Sequence, residues 1–198
     1  METVISLLAR LAAAWERLRM RRRQRRLIER LKIRRTLGET SPWPCTDADA
    51  SRVLADSLAF AAERGQSPDL AETLRRMGVV VREEEGLAAQ IGAEVRLTRR
   101  SDGFWLLLLD AELAGLPARV ALAWAIKRRT DGTRSEQYDI LDAQVLARAV
   151  LEAPRHPLLR ILLPEGAVAE ARRIHGDDLE GMARRLRVPS SLLAASQA

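Results

Sequence analysis

A mainly helical α+β fold is what this sequence predicts, and three observations carry the prediction. Apolar residues recur at helical spacing over most of the 198 residues. One stretch, about residues 93–109, changes to strand-like alternation around a turn, which gives a small antiparallel hairpin. The first forty residues read as a separate and strongly basic helix.

The basic arm is legible first. Residues 1–40 hold twelve Arg or Lys against Glu2, Glu16, Glu29 and Glu39, a net of +8 where the whole chain carries +6, so the remainder is slightly acidic. Val4, Leu8, Leu11, Trp15 and Leu18 fall on one stripe of a helix, and the run Arg21-Arg22-Arg23-Gln24-Arg25-Arg26 then surrounds it with cations. Gly38 and Ser41-Pro42-Trp43-Pro44 stop the helix, because proline lacks an amide donor and glycine readily takes a terminating conformation. The chain therefore divides into an arm over residues 1–40 and a domain over 41–198. Mutual repulsion among the arm's cations calls for an anionic partner. The candidate contacts are Arg17, Arg19, Arg21, Arg22, Arg23 and Arg25, followed by Arg26, Arg30, Lys32, Arg34 and Arg35. That partner is nucleic acid, an anionic membrane surface, or an acidic helix of another protein. Only Lys32 and Lys127 are lysines, a bias that coding composition accounts for.

The domain then unfolds in order. Asp47 to Arg64 predicts an amphipathic helix with Val53, Leu54, Leu58 and Ala61 inward. Ser67-Pro68-Asp69 starts a second, which buries Leu70, Leu74 and Met77 and closes at Gly78. Val79-Val80-Val81 predicts a short strand, and residues 83–91 a linker or short helix. Ala93 to Arg99 alternates, Ser101-Asp102-Gly103 turns, and Phe104 to Leu109 returns as a more buried strand. Pro117 is placed to open the next helix, over 118–129. A further helix is expected over 136–151, with Ile140, Leu141, Val145, Leu146 and Ala149 inward, ended by Pro154 and Pro157. Glu165 to His175 reads as a helix closed by Gly176. The final helical pair turns at Arg187-Val188-Pro189.

The stretch Arg119-Val120-Ala121-Leu122-Ala123-Trp124-Ala125-Ile126-Lys127-Arg128 resembles the active-site helix of the ImmA/IrrE-type metallopeptidases, whose pattern is R-F-x-L-A-H-E-L-G-H. Leu158-Leu159-Arg160-Ile161-Leu162-Leu163-Pro164-Glu165 is similar to that family's A-A-x-L-L-M-P-E segment. The unit from Asp178 to Leu193 is similar to its closing D-L-E-x-L-A-x-x-F-x-V-S-x-x-A-L pattern. The resemblance spans about residues 69–193 and implies a zincin-like fold, a small sheet packed on the helix of residues 118–129. Laid over the family pattern, the two zinc-binding His positions fall on Trp124 and Arg128, and the general-base Glu position falls on Ala125.

A zinc peptidase needs those groups because two His one turn apart aim at one cation, while the Glu takes a proton from the bound water. All three are missing here, so the resemblance implies a retained scaffold with a degenerate active site. His156 and His175 are the only imidazoles, 19 residues apart, which is no ligand spacing. The resemblance also implies an acidic third ligand, for which Glu136, Asp139, Asp142 and Glu152 stand at suitable positions. Cys45 is the single cysteine, which excludes an internal disulfide and makes a reducing cytoplasm the default. No phosphate-cradling Gly-rich loop, nucleophile elbow or kinase pattern occurs. Asp177-Asp178 and Glu83-Glu84-Glu85 suit helix starts and wet surfaces better than acid/base catalysis.

No catalytic residue, metal ligand or cofactor is therefore assigned. The expected function is noncatalytic: a binding or regulatory protein with a protein partner, built on an inactive metallopeptidase-like scaffold. Nucleic-acid binding through the arm is the alternative, and a divergent zinc metallopeptidase the remote one. The last helical pair has the outline of a helix-turn-helix, but its second helix is short and carries no cation after Arg187, which suits a structural cap better than a groove reader. The segment Val4 to Ala9 is interrupted by Arg10, so no spanning membrane segment is expected.

Overall fold

The computed structural model describes residues 45–100, 103–131 and 139–197. Over these residues the chain is α+β: nine helices are gathered around one four-stranded mixed sheet. Helix α1 (Asp47–Arg64) opens on a reciprocal cap in which the Thr46 hydroxyl accepts from the Asp49 amide at 3.1 Å and the Asp49 carboxylate accepts from the Thr46 amide at 3.3 Å. It ends at Gly65, whose φ of 58° is left-handed and whose missing Cβ leaves room for Glu170. Its fully inward positions are Ala50, Ser57 and Ala61, while Val53, Leu54 and Leu58 flank them half-buried. The predicted face is thus rotated slightly toward small residues. Helix α2 (Leu70–Arg76) is capped by Asp69 and buries Leu70, Leu74 and Met77 as expected.

Strand β1 (Val79–Glu84) is longer than its three valines suggest, and the short helix α3 (Leu87–Ile91) links it to β2 (Val95–Arg99) and β3 (Trp105–Asp110). The hairpin forms as predicted: β2 and β3 pair antiparallel, with Val95 opposite Leu109 and Leu97 opposite Leu107. The sheet is not purely antiparallel, however. β1 joins β3 in parallel, with Val79 beside Trp105 and Glu84 beside Asp110, because helix α3 carries the chain across before β2 begins. A fourth strand, β4 (Asp139–Leu141), pairs antiparallel with β2 on the far edge, giving the order β1-β3-β2-β4. Within the run Leu106 to Leu109 the pleat separates what composition does not: Leu107 and Leu109 are buried, Leu106 and Leu108 only half-buried.

Helix α4 (Gly115–Thr130) is the centre of the fold. It starts two residues before Pro117, which is tolerated because amides of the first turn have no intrahelical acceptor. Val120, Ala121, Ala123, Ala125 and Ile126 are fully buried, and the alanines allow α1, α2, α5 and β3 to approach its sides closely. Helix α5 (Ala143–Glu152) replaces the helix expected over 136–151: residues 139–141 are the edge strand, and Asp142 caps the helix by accepting from the Val145 amide at 2.9 Å. That shift corrects the inward set. Ala143, Ala147 and Val150 are buried, Leu141, Leu146 and Ala149 are half-buried, and Ile140 and Val145 are exposed. The reason is that three residues of strand advance the chain without helical rotation, so every later side chain faces a different way.

The short helix α6 (Leu159–Leu162) was not expected, whereas α7 (Glu165–His175), α8 (Leu179–Leu186) and α9 (Ser190–Ala195) follow the predicted boundaries closely. At Gly166 a Cβ would stand 2.7 Å from the Ala62 Cβ, so that glycine sets how closely α7 lies on α1. In the last pair Met182, Leu186, Leu192 and Leu193 are all buried, so α9 caps the core. Among the described residues no helix is long and apolar enough to cross a membrane.

One buried carboxylate ties the sheet to its connections. Asp110, at the end of β3, accepts from the Ala88 amide at 2.8 Å and the Glu112 amide at 3.0 Å. These backbone donors, that of Ala88 foremost, hold its pKa below the ordinary aspartate value. A carboxylate with a depressed folded pKa contributes stability that is present above about 3.9, its unfolded value, and lost as pH falls through the folded value. Asp110→Ala is accordingly expected to lower the thermal midpoint at pH 7 and to lower it much less near pH 3. A pH series of thermal melts on both proteins reads this, and a deficit constant with pH would assign the loss to packing.

Candidate functional site

The three degenerate positions lie on α4, and the structure gives each a different environment. Ala125 is fully buried in the core. Trp124 is half-buried and packs against the core's edge. Arg128, one turn further on, turns its guanidinium to the edge strand, where Nε and Nη2 both donate to Asp139 Oδ2 at 3.0 and 2.8 Å. Both side chains are about one-third exposed or less, which makes this pair stronger than a free surface bridge. Asp139 is one of the four carboxylates considered for a third ligand.

The other three are elsewhere engaged or outside view. Asp142 caps α5, Glu152 is exposed at that helix's end, and Glu136 lies outside the described residues. His156 is half-buried, where its Nδ1 accepts from the Leu158 amide at 3.3 Å and desolvation lowers its pKa. His175 sits at the C-terminus of α7. No group of three or more His, Cys, Asp or Glu able to hold a metal occurs among the described residues. Asp178, of the adjacent acidic pair, caps α8 by accepting from the Gly181 amide. The Cys45 thiol is pushed up by burial, which outweighs the opposing charge of Arg129, so it stays protonated at neutral pH.

Sequence reading passed over two features that the fold assembles. The first is Arg129, next to Arg128 yet only 2% exposed. Its guanidinium donates to the Asp47 carboxylate and the Cys45 carbonyl, and lies 5.6 Å from the centre of the Trp105 ring. It fastens the start of α1 to the sheet. The only sequence signal was its period: Ile126 and Arg129 are three apart and share the buried side of α4.

The second is a cleft of about 680 Å³ between α1, α2 and the first turns of α4. Arg119 lies at its inner wall, donating from Nη2 to the Ser67 hydroxyl at 2.8 Å, which in turn donates to the Leu162 carbonyl at 2.7 Å. Phe60 is 54% exposed at the mouth, with the Arg64 guanidinium 4.1 Å above its ring. Arg119 and Arg128 are nine residues apart, about two and a half turns of helix, so the cleft opens on the face of α4 opposite Arg128.

The Arg-rich positions of the arm, Arg17 to Arg35, lie outside the described residues. No family model, curated protein or solved structure matches this chain.

Proposed function

We propose that this protein acts by binding, on a scaffold of the ImmA/IrrE type whose metal position has been refilled. The observation that carries the reading is the Arg128–Asp139 pair. A guanidinium stands at the second His position and neutralises the nearby carboxylate, so cationic charge that a metal would bring to the site is supplied by the chain itself. Trp124 fills the first His position with an apolar ring, and buried Ala125 leaves no group to take a proton from water. The order of elements also supports the resemblance: two helices, strands, the central helix, a further helix, the Leu-Leu-Pro-Glu turn, then the terminal helices.

The reading predicts that protein purified without chelator holds far less than one zinc per chain and hydrolyses no peptide. Elemental analysis finding one tightly held metal per chain would sink it. The Arg-rich arm supports a second partner class, since its net +8 is concentrated in forty residues. Retention on heparin should fall steeply with salt and vanish when residues 1–40 are deleted; a truncated protein retained as before would remove the arm from the account.

A further inference from the structure

The cleft beside Arg119 has chemistry that the binding scaffold does not use, and its test is independent of that reading. Every acidic group lining it is already engaged. Asp69 caps α2 through the Glu72 amide at 3.0 Å, Glu72 forms a two-point bridge with Arg75, and Asp56 faces Arg76 at 3.8 Å. The cations are less well served. Arg64, Arg119 and Arg187 all line the cleft without a salt-bridge partner among the described residues. Arg119 is the most exacting of them: its Nε is buried with no hydrogen-bond partner, and its one side-chain bond goes to a neutral hydroxyl. Desolvation lowers its pKa, with the charge of Asp69 acting in the opposite sense. A guanidinium drawn from water with no carboxylate hydrogen-bonded to it is undercompensated, and an anion beside it would be held by charge-assisted hydrogen bonds.

The remaining walls mix polar side chains, Ser57, Gln66 and Thr73, with an apolar set. Phe60, Ala61, Leu70 and Leu122 line the same space, and a volume near 680 Å³ is that of a small-molecule site. An anion with an apolar body matches the apolar part of this lining. We propose that this cleft binds a small organic carboxylic acid, its carboxylate against Arg119 and its hydrocarbon part against Phe60, Leu70 and Leu122. Arg64 and Arg187, exposed along the same cleft, add to the positive charge that attracts it.

Titration of the full chain with 4-phenylbutyrate, octanoate and the uncharged 4-phenylbutyramide, followed by amide chemical shifts, tests this. Saturable shifts are expected at residues 57–73 and 119–122 with either acid and not with the amide. Arg119→Met, checked for folding by circular dichroism, should weaken the acids by about tenfold or more, and Arg64→Gln, at an exposed position, by a few-fold. The proposal is overturned if the amide binds as tightly as the acids, if neither acid shifts those residues up to about 10 mM, or if folded Arg119→Met binds unchanged; should Arg119→Met fail to fold, an unchanged affinity in Arg64→Gln overturns it.

Discussion

Arg129→Ala is expected to cost about 3–5 kcal/mol of folding stability, the largest loss for any single side chain of α4. Three effects combine. The substitution empties a site that is 2% exposed, leaves the Cys45 carbonyl without its donor, and takes a cation from the face of Trp105. The ion pair itself is the smaller part, because Asp47 is 63% exposed and water already screens its charge. Asp47→Ala should therefore cost only about 1 kcal/mol. Urea denaturation of the two variants separates these contributions. Equal losses would show that the charge pair, and not burial of the guanidinium, holds the start of α1 to the sheet. Arg129→Met, which keeps most of the volume, should fall between them.

The second large effect is a gain. Trp124→His combined with Arg128→His puts two imidazoles one turn apart on α4 and releases Asp139 from its guanidinium. If the scaffold is of the zincin type, those three groups should bind zinc, or cobalt with its visible absorption, at about one ion per chain, where the parent protein binds none with comparable affinity. Adding Asp139→Ala should abolish the uptake. A double variant that folds and yet takes up no more metal than the parent protein would count against the resemblance. Ala125 is left in place, since a Glu there would be buried without a partner. The variant is thus a test of ligand geometry and should not hydrolyse peptides.

Much of the fold was legible because its signals are local. The start of α1 at Asp47, Asp69 and Gly78 around α2, the alternation of β2, and Gly176 after α7 each act within one turn of chain. The errors fall where distant pairing decides. Val79 to Val81 reads as a short strand with a linker or short helix from residue 83, and only the parallel partner β3 extends the strand to Glu84 and makes the sheet mixed. Asp139 to Leu141 has the apolar spacing of a helix start, and pairing with β2 turns it into an edge strand. Ile140 and Val145 were misplaced as a consequence.

The candidate site divides in the same way. Trp124, Ala125 and Arg128 were singled out by the resemblance of residues 119–128 to the ImmA/IrrE pattern, and the helical period of 3.6 then puts positions 124 and 128 on one face wherever the helix lies. That Arg128 meets Asp139 depends on the edge strand returning beside α4, eleven residues later in the chain. The cleft was invisible in the sequence because Phe60, Ser67 and Arg119 are unremarkable singly and meet only when α1, α2 and α4 pack.

By itself the sequence determined the α+β class, most helix boundaries, and the concentration of positive charge in residues 1–40. These follow from backbone preference, local capping and periodicity, which act over a few residues. The tertiary structure alone decided the mixed topology of the sheet, the burial of Arg129 and not Arg128, and the gathering of cations around an apolar cleft. Each of those is a contact between segments far apart in the chain, and the free energy of such contacts comes from desolvation and packing that no single segment contains.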